Sequence, residues 1–288
     1  MGKADEGGKK LRMHTAVLLQ DVIEGLDPKP DQSYIDATAG EGGHLKEIAK
    51  RSKRVLALEA NKEQFERLGQ ELMEKNVVLI NANFADIKHQ AQEQGFSQVD
   101  GILFDLGLSF WELAHLEKGF SYKRLDDPLD MRLSEDSLPA SEFLNKATTE
   151  ELYEIFSQNS EEVKSKQIAE VITKRRLEKK LETVSDLLFC IDEAVRNEGS
   201  RAYARVFQAL RMQVNNEKEN LKVGLAGASE LLRVGGKLAV ITFHSIEDRI
   251  VKTYMKTNGF ELQTKKVPQF GDKKFERSAT LRIGIKQQ

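Results

Sequence analysis

The chain has 288 residues, 40% of them hydrophobic and 31% charged, with 44 basic against 46 acidic side chains. That is enough for about two domains and a large core, and it excludes collagenous, coiled-coil and wholly disordered chains. Near-balanced charge gives no whole-molecule case for nucleic-acid binding, and the longest apolar runs, such as Leu238 to Phe243, fall far short of the ~20 residues of a membrane span.

The first thirteen residues are polar and rich in Lys and Gly, with no apolar core of a secretory leader. Glu6 stands where a myristoylation motif needs Ser or Thr. Ser33 to Thr38 reads as a strand and Glu41 to Arg51 as a helix. Arg54 to Glu59 is a second strand, and Lys62 to Lys75 a helix with Phe65, Leu68 and Leu72 on one face. Val77 to Ala82 and Val99 to Leu106 are the third and fourth strands, completing a βαβαβ alternation. After Phe110 the signals are helical. Thr148-x-x-Glu151 is a capping box opening a helix over Leu152 to Gln158, followed by helices over Glu161 to Lys180 and Thr183 to Arg196. The single cysteine, Cys190, lies in the last of these as a small core residue; with no second thiol, a reducing compartment and a cytoplasmic protein are expected.

The alternation resumes with one long helix over Tyr203 to Leu232, a Gly235-Gly236 turn, a strand over Lys237 to Phe243 and a helix over Ile246 to Asn258. Two late strands near Phe260 to Val267 and Ala279 to Lys286 pair as a hairpin. The expected architecture is therefore α/β, a seven-stranded, mostly parallel sheet built from residues 1–112 and 200–288, with an inserted all-helical domain over 113–199.

Charge is uneven along this frame. From Arg249 to Gln288 there are ten basic and three acidic residues, and Lys174-Arg175-Arg176 with Lys179-Lys180 makes a second basic cluster. Such patches can hold phosphates despite a negative net charge, or serve as solvated faces.

Three strand ends carry chemistry. Asp36-Ala37-Thr38-Ala39-Gly40-Glu41-Gly42-Gly43-His44 joins the first strand to the first helix, where bare backbone lets a ligand approach a helix N-terminus. It departs from the dinucleotide fingerprint at Leu45. Glu59 ends the second strand where a carboxylate can bind ribose hydroxyls, and Asp105-Leu106-Gly107-Leu108-Ser109 ends the fourth. Each has a purely structural alternative, a tight turn, a solvated strand end or a cap; together they describe a nucleoside pocket. On the helix that follows, Phe207, Leu210 and Val214 form an apolar stripe and Gln208, Arg211 and Asn215 a polar one that either reads substrate or is surface. His244-Ser245 ends the fifth strand at the edge shared with Asp105. No His, Asp and Glu grouping has metal-ligand spacing, so no metal is expected.

The chain resembles the bacterial 16S ribosomal RNA cytosine-N4 methyltransferases, the MraW family. The resemblance runs from His14-Thr15-Ala16-Val17-Leu18-Leu19 to Arg277-Ser278-Ala279-Thr280-Leu281-Arg282. It is most specific at Gly119-Phe120-Ser121-Tyr122, Asp127-Pro128-Leu129-Asp130-Met131-Arg132, Phe207 to Asn215, and Phe243-His244-Ser245-Ile246-Glu247-Asp248-Arg249. It implies a Rossmann-like class I methyltransferase fold and S-adenosylmethionine as cofactor, held by Gly42, Gly43, His44, Glu59, Phe84, Asp105 and Glu112. It implies Asp105, Ser109 and His244 near the chemistry, with Arg132, Gln208, Arg211, Asn215, Arg249 and Arg277 toward RNA. The implied partner is 16S rRNA within a small ribosomal subunit or its precursor; there is no membrane partner, and a homodimer is compatible. Where the family commonly has Asp and Gln, this chain has Glu59 and Glu112, and Ser109-Phe110-Trp111 replace Ser-Ser-Pro.

Methyl transfer to an amine fits the residues themselves. A sulfonium cofactor brings an activated methyl, leaving the protein to align the acceptor. Asp105 can either hold the cofactor or orient the amine. A noncatalytic RNA-binding or assembly protein retaining the fold, and a DNA amino-methyltransferase, stay open as alternatives.

Overall fold

The computed structural model describes residues 16–135, 137–196, 199–266 and 278–288. In chain order the elements are α1 (Leu19–Leu26), β1 (Ser33–Asp36), α2 (Gly43–Ala49), β2 (Arg54–Glu59), α3 (Lys62–Glu71), β3 (Val77–Asn81) and α4 (Ile87–Glu93). Then come β4 (Val99–Asp105), α5 (Phe110–His115), α6 (Ala140–Lys146), α7 (Thr149–Ser160), α8 (Ser165–Arg175), α9 (Val184–Val195) and α10 (Ser200–Val214). The chain closes with α11 (Glu217–Leu231), β5 (Leu232–Thr242), α12 (Ser245–Thr257), β6 (Phe260–Lys266) and β7 (Thr280–Lys286).

The seven strands form one sheet in the order β3-β2-β1-β4-β5-β7-β6, with β7 antiparallel to both its neighbours and the other pairs parallel. Strands buried on both faces have to be apolar without alternation, as Val55–Leu58 of β2 and Ile102–Phe104 of β4 are. One face packs through Leu45, Ile48 and Val22 of α1 and α2, the other through Leu225, Ala228 and Val251 of α11 and α12. Strand order reverses between β1 and β4, so their carboxyl ends splay apart and open a crevice there. A third apolar cluster, from Leu116 to Val214, joins α6 to α10 around Phe156, Ile168, Leu187 and Leu210. No helix among the described residues is long and apolar enough to cross a membrane.

The capping box at α7 is present in both directions: Thr148 Oγ1 accepts from the Glu151 amide at 3.2 Å, and Glu151 Oε2 accepts from the Thr148 amide at 2.7 Å. Elsewhere the structure corrects the sequence reading. The expected single helix over 203–232 is two helices, α10 and α11, broken at Asn216, whose φ of 49° is left-handed. Asparagine tolerates that conformation, and each half is amphipathic, so periodicity runs through the break unmarked. The Gly235-Gly236 pair is a bulge inside β5 rather than a turn before it: Gly235 takes a φ of 77° and the β4–β5 register shifts there. The helix expected over 161–180 occupies only Ser165–Arg175, because Glu161 caps α7 with a φ of 53°. α1, α4, α5 and α6 had no separate sequence signal.

Candidate active site

The crevice at the carboxyl edge of β1, β2 and β4 holds a cavity of about 470 Å3. Its floor is the turn after β1. Thr38 Oγ1 accepts the Asp105 amide at 2.6 Å, and Thr38's own amide donates to Asp36 Oδ1 at 3.2 Å, tying the turn to the end of β4. Gly40 has a φ of 51°, and a Cβ added there would meet only Thr38 O at 3.9 Å, so the backbone lies open to the cavity. Gly43 lines the cavity; Gly42 does not, and a Cβ on it would come within 2.6 Å of the Leu68 side chain. Gly42 is therefore fixed by packing against α3 and by its φ of 79°.

Two buried glutamates form the β2 wall. Glu59 Oε2 accepts the Gly40 amide at 2.9 Å and Oε1 the Asn61 amide at 2.8 Å. Asn61 Nδ2 donates to Glu112 Oε1 at 3.1 Å, and Glu112 Oε2 accepts the Ser109 amide at 2.8 Å. Burial, and then the neighbouring charge of Glu112, push Glu59 up to about 7; burial also raises Glu112. Ser109 caps α5, its Oγ accepting the Glu112 amide at 3.1 Å, so Glu112 is both a capping-box partner and a cavity wall. Asn61 joins them and was not singled out from the sequence. Phe84 closes one side of the cavity, edge-on to Phe104 with centroids 5.7 Å apart.

His44 and Asp105 also line the cavity, and Asp36 lies buried beside them. His44 Nε2 lies 3.5 Å from Asp105 Oδ2, close for charges and long for a hydrogen bond. Burial pushes Asp36 up to about 6. Burial works against charge on His44, but Asp105 and then Asp36 raise its pKa above the ordinary imidazole value.

The residues expected to face RNA are placed differently from one another. Arg211 lines the cavity and is paired with Glu217 (Nε to Oε1 2.8 Å, Nη2 to Oε2 3.1 Å). Asn215 turns its amide to the 131–133 loop, donating to Met131 O and accepting from the Leu133 amide, both at 2.8 Å. Gln208 Nε2 donates to Asn159 O at 3.0 Å. Arg132 is bidentate to Asp130 at 2.8 and 2.9 Å, and exposed Arg249 meets Glu161 at 2.6 Å. Arg277 lies outside the described residues, as do Lys273 and Lys274. In the other basic cluster Arg175 pairs with Glu193, Lys179 with Asp186, and Arg176 donates to Leu144 O. His244 caps α12 outside the cavity: its Nδ1 accepts the Glu247 amide at 3.3 Å and its Nε2 is 3.1 Å from Glu247 Oε1.

Glu217, His244 and Glu247 bring ligand-type atoms within 4.8 Å of one another, a grouping invisible in the sequence because it spans α11 and α12. The Arg211 guanidinium already neutralises Glu217 there. Despite burial, His244 and Arg211 hold Glu247 below the usual carboxylate range. The cavity itself remains acidic, with Glu41, Glu59, Asp105 and Glu112 facing Arg211 and His44. Such a wall attracts a cation and repels phosphate.

A family model described as the MraW methylase family matches residues 12–281 of the chain. Among solved structures, an rRNA methylase from Streptococcus thermophilus aligns at 12% identity over 94% of each chain, with a TM-score of 0.47. A Streptococcus mutans protein solved in complex with SAH aligns at 12% identity over 93% of this chain and 97% of its own, with a TM-score of 0.49. A precorrin 8w decarboxylase from Methanobacterium thermoautotrophicum aligns at 11% identity over 93% and 88%, with a TM-score of 0.44.

Proposed function

Because the chain belongs to the MraW methylase family and takes S-adenosylmethionine as its cofactor, we propose that it methylates the N4 amine of a cytosine in the decoding region of 16S ribosomal RNA. It acts in the cytoplasm on a small ribosomal subunit or its precursor. The observation that carries this reading is the acidic cavity closing on Asp105 at the end of β4.

The residues fit the cofactor. A cavity of about 470 Å3 suits a nucleoside-sized ligand, and the excess of carboxylates suits a positively charged one. Glu59 would take the ribose hydroxyls: each of its oxygens accepts one amide and keeps a second lone pair. Gly40 would admit the ligand to bare backbone, and Phe84 would cover its base. When bound, S-adenosylmethionine supplies a methyl group already activated by positive sulfur.

The chain's own residues then have one task, to present a poor nucleophile. The lone pair of a cytosine exocyclic amine is delocalised into the ring, and acceptors on its N–H groups favour a pyramidal nitrogen. Asp105 is that acceptor in this proposal. The acidic walls keep phosphates out, so a neutral base enters the cavity, extruded from its stack. The backbone then rests outside, against the helical segment 113–199 as substrate domain and the basic run after Arg249. Arg211, pinned to Glu217, holds the cavity's far wall and touches the base rather than phosphate.

Transfer of labelled methyl from S-adenosylmethionine to naked 16S rRNA, to isolated small subunits and to DNA, measured side by side, tests the assignment. Incorporation into RNA or subunits with none into DNA is expected. Cofactor binding with no transfer to any of the three would favour a noncatalytic assembly role.

A further inference from the structure

Asp36, His44 and Asp105 carry four of the buried polar atoms that have no hydrogen-bond partner among the described residues: Asp36 Oδ2, both ring nitrogens of His44, and Asp105 Oδ1. Unsatisfied buried groups are costly and rare in folded proteins. Here they are gathered around one imidazole. His44 is 5% exposed, Asp36 1%, and Asp105 and His44 both line the cavity. The groups facing the imidazole are Asp105 from β4, Asp36 from β1 and the backbone of Val17; Glu59 of β2 interacts with Asp36 but not with the imidazole.

Methyl transfer poses a charge problem at such a site. The acceptor nitrogen's lone pair forms the new N–C bond as the carbon–sulfur bond breaks, with that electron pair staying on sulfur. The site loses its sulfonium charge, and one amine proton is left over. Asp105 at the cavity wall, with the fully buried carboxylate of Asp36 nearby, then faces a neutral thioether in place of a cation, an arrangement that is expensive in a low-dielectric interior.

We propose that His44 takes up this proton through Asp105, so that an imidazolium between Asp105 and Asp36 replaces the positive charge lost from sulfur. Asp105 lines the cavity with its side chain 24% exposed, and since Oδ1 is buried it is Oδ2 that meets the amine and receives its proton; Oδ2 stands 3.5 Å from His44 Nε2, within reach of a small side-chain movement. His44 acts through Asp105 and is a positioning residue for the proton. Its environment already favours protonation when no cation is present, because the two carboxylates outweigh burial. The inference rests on the cofactor and is independent of which macromolecule receives the methyl.

Binding alone tests it. Calorimetry of the full chain at about pH 7, in buffers of different ionisation enthalpy, counts the protons exchanged when S-adenosylmethionine or S-adenosylhomocysteine binds. The complex with the neutral thioether is expected to hold about one proton more than the complex with the sulfonium. His44→Gln removes that difference, whatever it does to the affinity for either ligand. Should that variant misfold, the wild-type ring resonances give the same answer: His44 stays protonated to higher pH with S-adenosylhomocysteine than with S-adenosylmethionine. Equal proton counts and equal ring titrations in the two complexes overturn the proposal. Failure of both ligands to bind would overturn the cofactor assignment, and the proposal with it.

Discussion

Glu59 and Glu112 reach Asn61 from two different elements, and neither has a basic partner of its own. The resemblance implied both as cofactor-holding residues, each departing from the family pattern. What it lacked was their proximity, which makes the pair want a proton. The consequence for stability has a definite sign. A carboxyl raised from 4.5 to about 7 on folding binds its proton more tightly in the native state. Its stabilising effect is therefore complete below the unfolded value and is lost as pH climbs toward 7, a change on the order of 3 kcal/mol for a shift of this size. Urea unfolding of the ligand-free chain at pH 5 and pH 7.5 is expected to show wild type losing stability over that window. Glu59→Gln, which keeps the shape and one acceptor without the charge, should lose much less. Parallel pH profiles for the two proteins would mean that Glu59 is ionised and stabilised by contacts other than those described.

At the scale of elements, the α10–α11 junction shows how far sequence strings can be trusted. The run from Phe207 to Asn215 announced an important segment, and the alternation of apolar and polar residues announced a helix. Yet Asn215 serves as a staple: it accepts the Leu133 amide and donates to Met131 O and Arg211 O. It thereby holds a loop in which Met131 takes a left-handed φ of 59° and Leu133 lines the cavity. No local pattern reveals a bond between residues some eighty positions apart. Asn215→Ala leaves the Met131 carbonyl and Leu133 amide without their partner, at a cost of about 2 kcal/mol, and frees the loop. A lower urea midpoint together with weaker cofactor binding is expected. An unchanged midpoint would show that the loop holds itself in place.

For the molecule as a whole, the sheet was legible because parallel strands buried on both faces leave continuous apolar runs, as at Val55–Leu58, and because the glycine turn after β1 leaves backbone open to the cavity at Gly40. The β5 bulge and the break at Asn216 were not legible, since both sit inside segments whose hydrophobic pattern continues across them. Among site residues, Glu59, Phe84, Asp105 and Glu112 share the cavity wall. Asn61, Glu217 and Glu247 were missed as partners because their roles exist only in pairs formed across the fold. The acidity of the cavity against the basic run after Arg249 suggests the division of labour between base and backbone on which the functional proposal stands. That proposal is tested most directly by digesting 16S rRNA to nucleosides after incubation with the protein and methyl-labelled S-adenosylmethionine, then resolving the products by mass spectrometry. The account predicts the label in N4-methylcytidine. Label in any other nucleoside, or none in RNA from either naked or subunit-bound substrate, would contradict it.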